Sequence, residues 1–369
     1  MRWTLTLVML TAMLAGCGGG LELTLVEAAY RRPSNVGVYF TVDTNGGDPV
    51  AGLQASDFRI YEDGDLVSID ESRQTIINPE VAAEHYTLLL VDMSGSVTES
   101  DQVPLLVEAA SQFTSTVEGY QKVAVYAFDG AEDIHPIQPF TASAGGAQRS
   151  VQRLDSFQAR DPSTNLNGAL IQGVEELNRA LDASTVPLRF GTIVVFTDGT
   201  DRAHRVSYDD MMDSLDEAGY DVFAIGVGNE IDEGTLSRVG YSGYVLVQDS
   251  AAISQAFDAI SQKIVGYTQR FYLLSYCSPA RAGTHEVTIE ALSGDASGSL
   301  TYTFDATDFG PECNPDSPPP FDTSGRGRAV RRTRREPGGR ISVSAGASVR
   351  ASGSASAGAG GGDPEGGDY

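Results

Sequence analysis

The residues best suited to chemistry are Asp92, Ser94 and Ser96, in the run Val91-Asp92-Met93-Ser94-Gly95-Ser96. One carboxylate followed by hydroxyls at alternate positions is a set of hard oxygen donors. Such donors suit Mg2+ or Mn2+, with Ca2+ also possible, and do not suit Zn2+. The same residue types also make an ordinary turn, because Asp and Ser bond nearby backbone and Gly relaxes the chain. Position separates the two readings. The run follows Tyr86-Thr87-Leu88-Leu89-Leu90, an apolar stretch that reads as a strand buried on both faces. Asp92 then falls on a tight loop at the carboxyl end of a central strand, where open α/β sheets bind ligands.

The surrounding chain must supply that sheet. From Glu84 to about Tyr267 apolar strands alternate with amphipathic helices, the pattern of a parallel sheet with crossover helices. Strands are expected at 123–128, 191–196, 222–227 and 244–247, with an edge strand at 134–140 because Pro136 and Pro139 cannot sit centrally. Helices are expected at 100–118, 166–181, 208–218, 232–239 and 251–267. Before this block the pattern is β, with strands at 36–42, 58–62 and 66–69 and an Asp63-Gly64 hairpin turn. After it, 270–276, 284–291 and 299–304 are again β, and these strands are expected to pair with the early ones into one sandwich.

The Asp92-to-Ser96 run resembles the metal-ion-dependent adhesion site (MIDAS) of the von Willebrand factor A family, whose pattern is Asp-x-Ser-x-Ser. Two later segments strengthen the resemblance. Asp161-Pro162-Ser163-Thr164-Asn165-Leu166 is similar to the family's threonine loop, with Pro162 and Ser163 where the family usually has Gly, and Thr164 is the matching ligand. Phe196-Thr197-Asp198-Gly199 is similar to its strand-end Thr-Asp-Gly segment, and Asp198 matches the Asp. The resemblance implies a doubly wound, mostly parallel, Rossmann-like sheet with helices on both faces. It also implies one Mg2+ or Mn2+ held by Asp92, Ser94, Ser96, Thr164 and Asp198. With few charged ligands the ion would accept an acidic side chain from a protein partner. The run from Gly52 to Gly64 resembles the small β-sandwich module that precedes the A domain in bacterial relatives.

The N-terminus is a targeting segment: Arg2, an apolar core from Trp3 to Leu14, then Leu14-Ala15-Gly16-Cys17. The last four residues look like a bacterial lipobox. That resemblance implies cleavage before Cys17, a diacylglycerol thioether on it, an acylated amine (palmitate) and a membrane anchor in the cell envelope. Gly18 is not the Asp that would redirect a lipoprotein, which favours the outer membrane, on its periplasmic or its surface side. An ordinary signal peptide is the alternative. Once Cys17 is used, Cys277 and Cys313 are left, and an even pair in an exported chain reads as a disulfide, two free thiols being the alternative.

The expected organisation is a signal peptide at 1–16, lipidated Cys and tether at 17–24, N-terminal sandwich strands at 25–80, the A domain at 81–268, C-terminal strands at 269–313 and a disordered Pro/Arg/Gly/Ser-rich tail at 314–369. The balance of 50 Asp+Glu to 25 Lys+Arg, net −25, argues against nucleic-acid binding. The chain has no Walker A loop, Rossmann glycine fingerprint or Gly-x-Ser-x-Gly elbow, so no catalytic residue and no enzyme activity are expected. The expected function is a membrane-anchored, cation-dependent adhesion or assembly module. The competing readings are a structural envelope lipoprotein whose metal only stabilises the fold, and a metal-dependent hydrolase.

Overall fold

The computed structural model describes residues 20–77, 83–140, 146–228, 230–321 and 338–343. The chain begins in strands β1 (Leu21–Arg31) and β2 (Asn35–Thr44), then β3 (Phe58–Glu62) and β4 (Asp65–Val67), the short helix α1 (Ile69–Ser72) and β5 (Thr75–Ile77). The α/β block follows: β6 (Ala83–Asp92), α2 (Gly95–Thr98), α3 (Val103–Val117), β7 (Lys122–Phe128), β8 (His135–Gln138), α4 (Gly146–Val151), α5 (Leu166–Ala183), β9 (Leu188–Thr197), α6 (Tyr208–Ala218), β10 (Asp221–Val227), α7 (Glu233–Val239), β11 (Gly243–Val247) and α8 (Ile253–Gln269). Strands β12 (Phe271–Cys277), β13 (Thr284–Ser293) and β14 (Ala296–Asp305) close the chain's regular structure.

The α/β block is one six-stranded sheet in the order β11-β10-β9-β6-β7-β8, parallel except for β8, which runs antiparallel along β7 at the edge. Each central strand is apolar on both faces because helices cover both. In β6, Leu89 and Val91 join the core under α3 and α8, while Leu88 and Leu90 join the core under α5 and α6. The chain goes from β6 outward to β7 and β8, then crosses to β9 on the other side of β6. Strand order therefore reverses between β6 and β9, which leaves a crevice at their carboxyl ends.

The flanking strands form two antiparallel four-stranded sheets, β1-β2-β12-β5 and β14-β13-β3-β4, packed over a shared apolar core. Each sheet mixes strands from before and after the α/β block: β12 pairs with β2 and β5, and β13 pairs with β3. The block is thus inserted between β5 and β12, which lie side by side, so its two ends enter and leave at one place. Tyr39, Phe190, Phe271, Leu273 and Phe321 seal that junction, with the Tyr39 and Phe271 rings 5.5 Å apart. Cys277 and Cys313 are joined as a disulfide that ties the end of β12 to the segment after β14.

Four details depart from the sequence reading. Strand β1 starts at Leu21, inside the stretch expected as tether, because Leu21 and Leu23 face the sandwich core. The strand expected to reach Ile69 stops at Val67, because Ser68 accepts a hydrogen bond from Glu71 N at 3.2 Å and starts α1 instead. Helix α3 begins at Val103 rather than Ser100, with Pro104 in its first turn, where its missing N–H costs nothing. In the tail, 314–321 and 338–343 are described and packed: Phe321 lies in the junction core, and Ile341 and Val343 lie against the core under α3 and α8. The expected disorder overlooked these few apolar residues. The Asp63-Gly64 hairpin has the two positive φ angles such a turn needs, 52° and 89°. The signal peptide, Cys17 and tail residues 322–337 and 344–369 lie outside the described residues.

Candidate metal centre

Strand β6 delivers Asp92 to the crevice, fully buried. Its Oδ1 accepts a hydrogen bond from Ser94 N at 3.0 Å, which closes the turn, and its Oδ2 accepts one from Thr197 Oγ1 at 2.7 Å. Thr197 ends β9, the neighbouring parallel strand, so the bond spans the point where strand order reverses. Ser94 is the N-cap of α2 and is buried, whereas Ser96 is exposed. Their Oγ atoms lie 3.2 Å apart, and Ser96 Oγ donates to Asp198 Oδ1 at 3.0 Å. Asp92, Ser94, Ser96 and Asp198 therefore form one continuous oxygen-lined path from core to solvent.

Thr164 reaches the same place from the loop before α5. Its hydroxyl lies 3.9 Å from where a Cβ on Gly199 would stand, which places it beside the Asp198-Gly199 end of β9. The loop is held from several sides. Thr164 O accepts from Arg202 N at 2.9 Å and Ala203 N at 3.0 Å, and Pro162 O accepts from Gly95 N at 2.9 Å. Asn165 N donates to Asp129 O at 3.0 Å, and the Asn165 side chain caps α5 through Gly168 N at 3.2 Å. At Pro162 and Ser163, Asp161 Oδ1 accepts from Ser163 N at 3.0 Å and Ser163 Oγ at 2.8 Å, which gives the loop a side-chain-closed turn. All five residues singled out from sequence thus meet at one end of the sheet.

Two supporting residues were given no role from sequence. Thr197 is one; its place beside Asp198 was visible, but which way its hydroxyl turns is a matter of strand pairing. Asp129, at the end of β7, is the other. Its buried carboxylate accepts from Ala131 N at 2.7 Å and Arg160 N at 2.6 Å, so it pins the segment that leads into the Thr164 loop. No sequence pattern marks it.

The electrostatics suit a cation. Burial pushes the Asp92 carboxyl up to about 7 against the opposing Thr197 bond, and the Asp198 charge adds to the rise. Asp198 is also raised, first by burial and then by Glu230, with the Ser96 bond working against it. Glu230 pairs with Arg202 at the rim. Two carboxylates with unfavourable charge and three hydroxyls make a donor set of hard oxygens only, which fits a small divalent ion and offers it no soft ligand. Among the described residues no three His, Cys, Asp or Glu side chains converge, so the hydroxyls would have to supply part of any ion's shell.

Residues 88–259, within the inserted α/β block, match the family model of the von Willebrand factor type A domain. No curated protein matches the chain by sequence. Solved structures that resemble it include a von Willebrand factor type A protein from Catenulispora acidiphila, at 11% identity over 79% of this chain and 74% of that one, TM-score 0.41. Another is the proximal thread matrix protein 1 of the mussel byssus with a zinc-occupied MIDAS motif, at 15% identity over 54% of this chain and 49% of that one, TM-score 0.39. A third is the vWF domain of the type V pilus tip protein Mfa5 from Porphyromonas gingivalis, at 11% identity over 52% of this chain and 98% of that one, TM-score 0.37.

Proposed function

We propose that this protein is a cell-envelope module that binds a protein partner through a divalent cation held by Asp92, Ser94, Ser96, Thr164 and Asp198. The observation that carries the reading is the buried-to-exposed oxygen path that joins β6 and β9 at the strand-order reversal. Asp92 is its fixed inner end, oriented by Ser94 N and Thr197. Ser96 and Asp198 are its outer end, open to an approaching group. A bound Mg2+ or Mn2+ would supply a coordination position that a partner's Asp or Glu can fill. The chain's part is to hold the hydroxyls in place and leave the ion's charge only partly offset. In this reading the site binds and does not turn over, and no catalytic residue is assigned. Anchoring through a lipidated Cys17 rests on the Leu-Ala-Gly-Cys sequence and would place the module on a membrane of the envelope, the outer membrane by the identity of Gly18.

A pull-down from envelope extract, with Mg2+ and with EDTA, tests the reading, using wild type and Asp92→Ala. Capture of a partner only by wild type with metal supports it. Metal binding that is lost in Asp92→Ala while partner capture is unchanged would leave the ion a purely structural role and refute the adhesion reading.

A further inference from the structure

A second surface of the α/β block is built to recognise a chain segment. The parallel sheet ends at β11, and a free outer edge there would expose a row of backbone donors and acceptors. Residues Gly338–Val343 lie along that edge, with Arg340 bridging Tyr244 in the parallel sense. Tyr244 N donates to Gly339 O at 3.2 Å, and Ile341 N donates to Tyr244 O at 2.8 Å. A further bond runs from Gly338 N to Ser237 O at 2.8 Å, at the end of α7.

The edge reads side chains as well as backbone. Arg340 Nη1 meets Glu233 Oε1 at 3.2 Å, and its Nη2 donates to Leu246 O at 3.1 Å. Tyr244 OH donates to the same Glu233 oxygen at 2.8 Å, which fixes the carboxylate in front of the guanidinium. Ile341 and Val343 pack against the core under α3 and α8. A Cβ on Gly338 would stand 1.9 Å from Gly240 O, so only glycine fits there. A Cβ on Gly243 would stand 2.9 Å from Ile341 Cδ1, so the groove floor is cut away under the isoleucine. The recognised pattern is Gly-x-Arg-Ile-x-Val.

We propose that this groove is an interface between copies of the chain, in which the Gly338–Val343 segment of one copy takes the β11 edge of another as it takes its own here. Every hydrogen bond and ion pair named above falls on residues 233–246, so nothing in the recognition requires the segment and the edge to belong to one chain. Charge favours such an encounter. Seven arginines fall within 326–340, in a chain whose net charge is −25, so the region carrying the motif is drawn to the acidic body of any copy.

Two full-length variants separate donor from acceptor. Ile341→Asp spoils the segment and leaves the groove; Glu233→Arg spoils the groove and leaves the segment. Each alone should sediment as a monomer, and their mixture should form a one-to-one dimer. A peptide of residues 336–345 should bind the Ile341→Asp chain and compete the dimer apart, and the same peptide with Arg340→Glu should compete about tenfold less well, from the lost ion pair and the like charges it brings together. Circular dichroism establishes that both variants are folded, and Ile341→Ser serves as the acceptor if the Asp variant is not. Monomers throughout the mixture overturn the proposal, and so does peptide binding without any dimer, which would make the groove intramolecular only.

Discussion

Replacing Thr197 with Val keeps the side-chain volume and removes the hydroxyl that donates to buried Asp92 at 2.7 Å. The native Asp92 carboxyl sits at about 7, so at neutral pH roughly half of it is ionised. A hydrogen bond to a buried charged acceptor contributes about 1.5–3 kcal/mol, or about one to two pKa units. The variant carboxyl should therefore titrate near pH 8–9, which lowers its ionised fraction at pH 7 by about five- to fiftyfold. A cation binds the ionised form, so the apparent Mg2+ affinity should fall by the same factor at pH 7. By pH 9.5 the deficit should shrink to about 1.3-fold or less, because both proteins are then mostly ionised. Calorimetric titration with Mg2+ and Mn2+ at the two pH values measures this, with Thr197→Ser as the control that keeps the hydroxyl. The metal-free proteins give a second readout. A carboxyl raised above its unfolded value holds its proton while the unfolded chain has already released it. Stability then falls as pH rises through that window, from about 4 to about 7 in wild type. The fall should continue to about pH 8–9 in the variant. Wild-type affinity at pH 7, or a deficit of equal size at both pH values, would refute the reasoning.

Three further outcomes are expected. Cys277→Ser with Cys313→Ser should lower stability by about 3–4 kcal/mol on the loop-entropy account, read from urea unfolding, because the bridge spans 36 residues. The His85 ring lies 4.8 Å from Phe190 and 5.0 Å from Phe271, and burial together with the Arg270 charge pushes it down to about 3. An unfolded His takes a proton near pH 6.5 and the native ring does not, so stability should be lost as pH falls from 6.5 toward 3. The slope is at most about 1.4 kcal/mol per unit and about half that here, since solvent reaches part of the residue. His85→Gln should flatten the urea midpoint between pH 6.5 and 4.5. Finally, the wild-type protein should enter the detergent phase on phase partitioning and Cys17→Ser should not; a Cys17→Ser protein that still partitions there would end the lipid-anchor reading.

Much of this protein is legible in its sequence for a local reason. An apolar run such as Leu88–Val91 that ends in Asp-x-Ser-Gly-Ser can only be a strand feeding a polar loop, and a parallel sheet puts such loops at one end. The five oxygen-bearing side chains could be named because each sits in a short segment that resembles a segment of the von Willebrand factor A metal site. The insertion of the block between sandwich strands could also be inferred, since strand-like composition stops before Glu84 and resumes after Tyr267. Tertiary structure decided what depends on pairing across the chain. Thr197 orients Asp92 only because β6 and β9 are neighbours in a particular register, and Asp129 supports the Thr164 loop only because β7 ends beside it. The Gly338–Val343 strand shows the limit most clearly. Its composition, Gly, Gly, Arg, Ile, Ser and Val inside an Arg- and Gly-rich tail, carries too little apolar surface to order itself. It is ordered by an edge it does not encode: the unpaired backbone of β11, a carboxylate at 233 and a glycine at 243, more than ninety residues away along the chain.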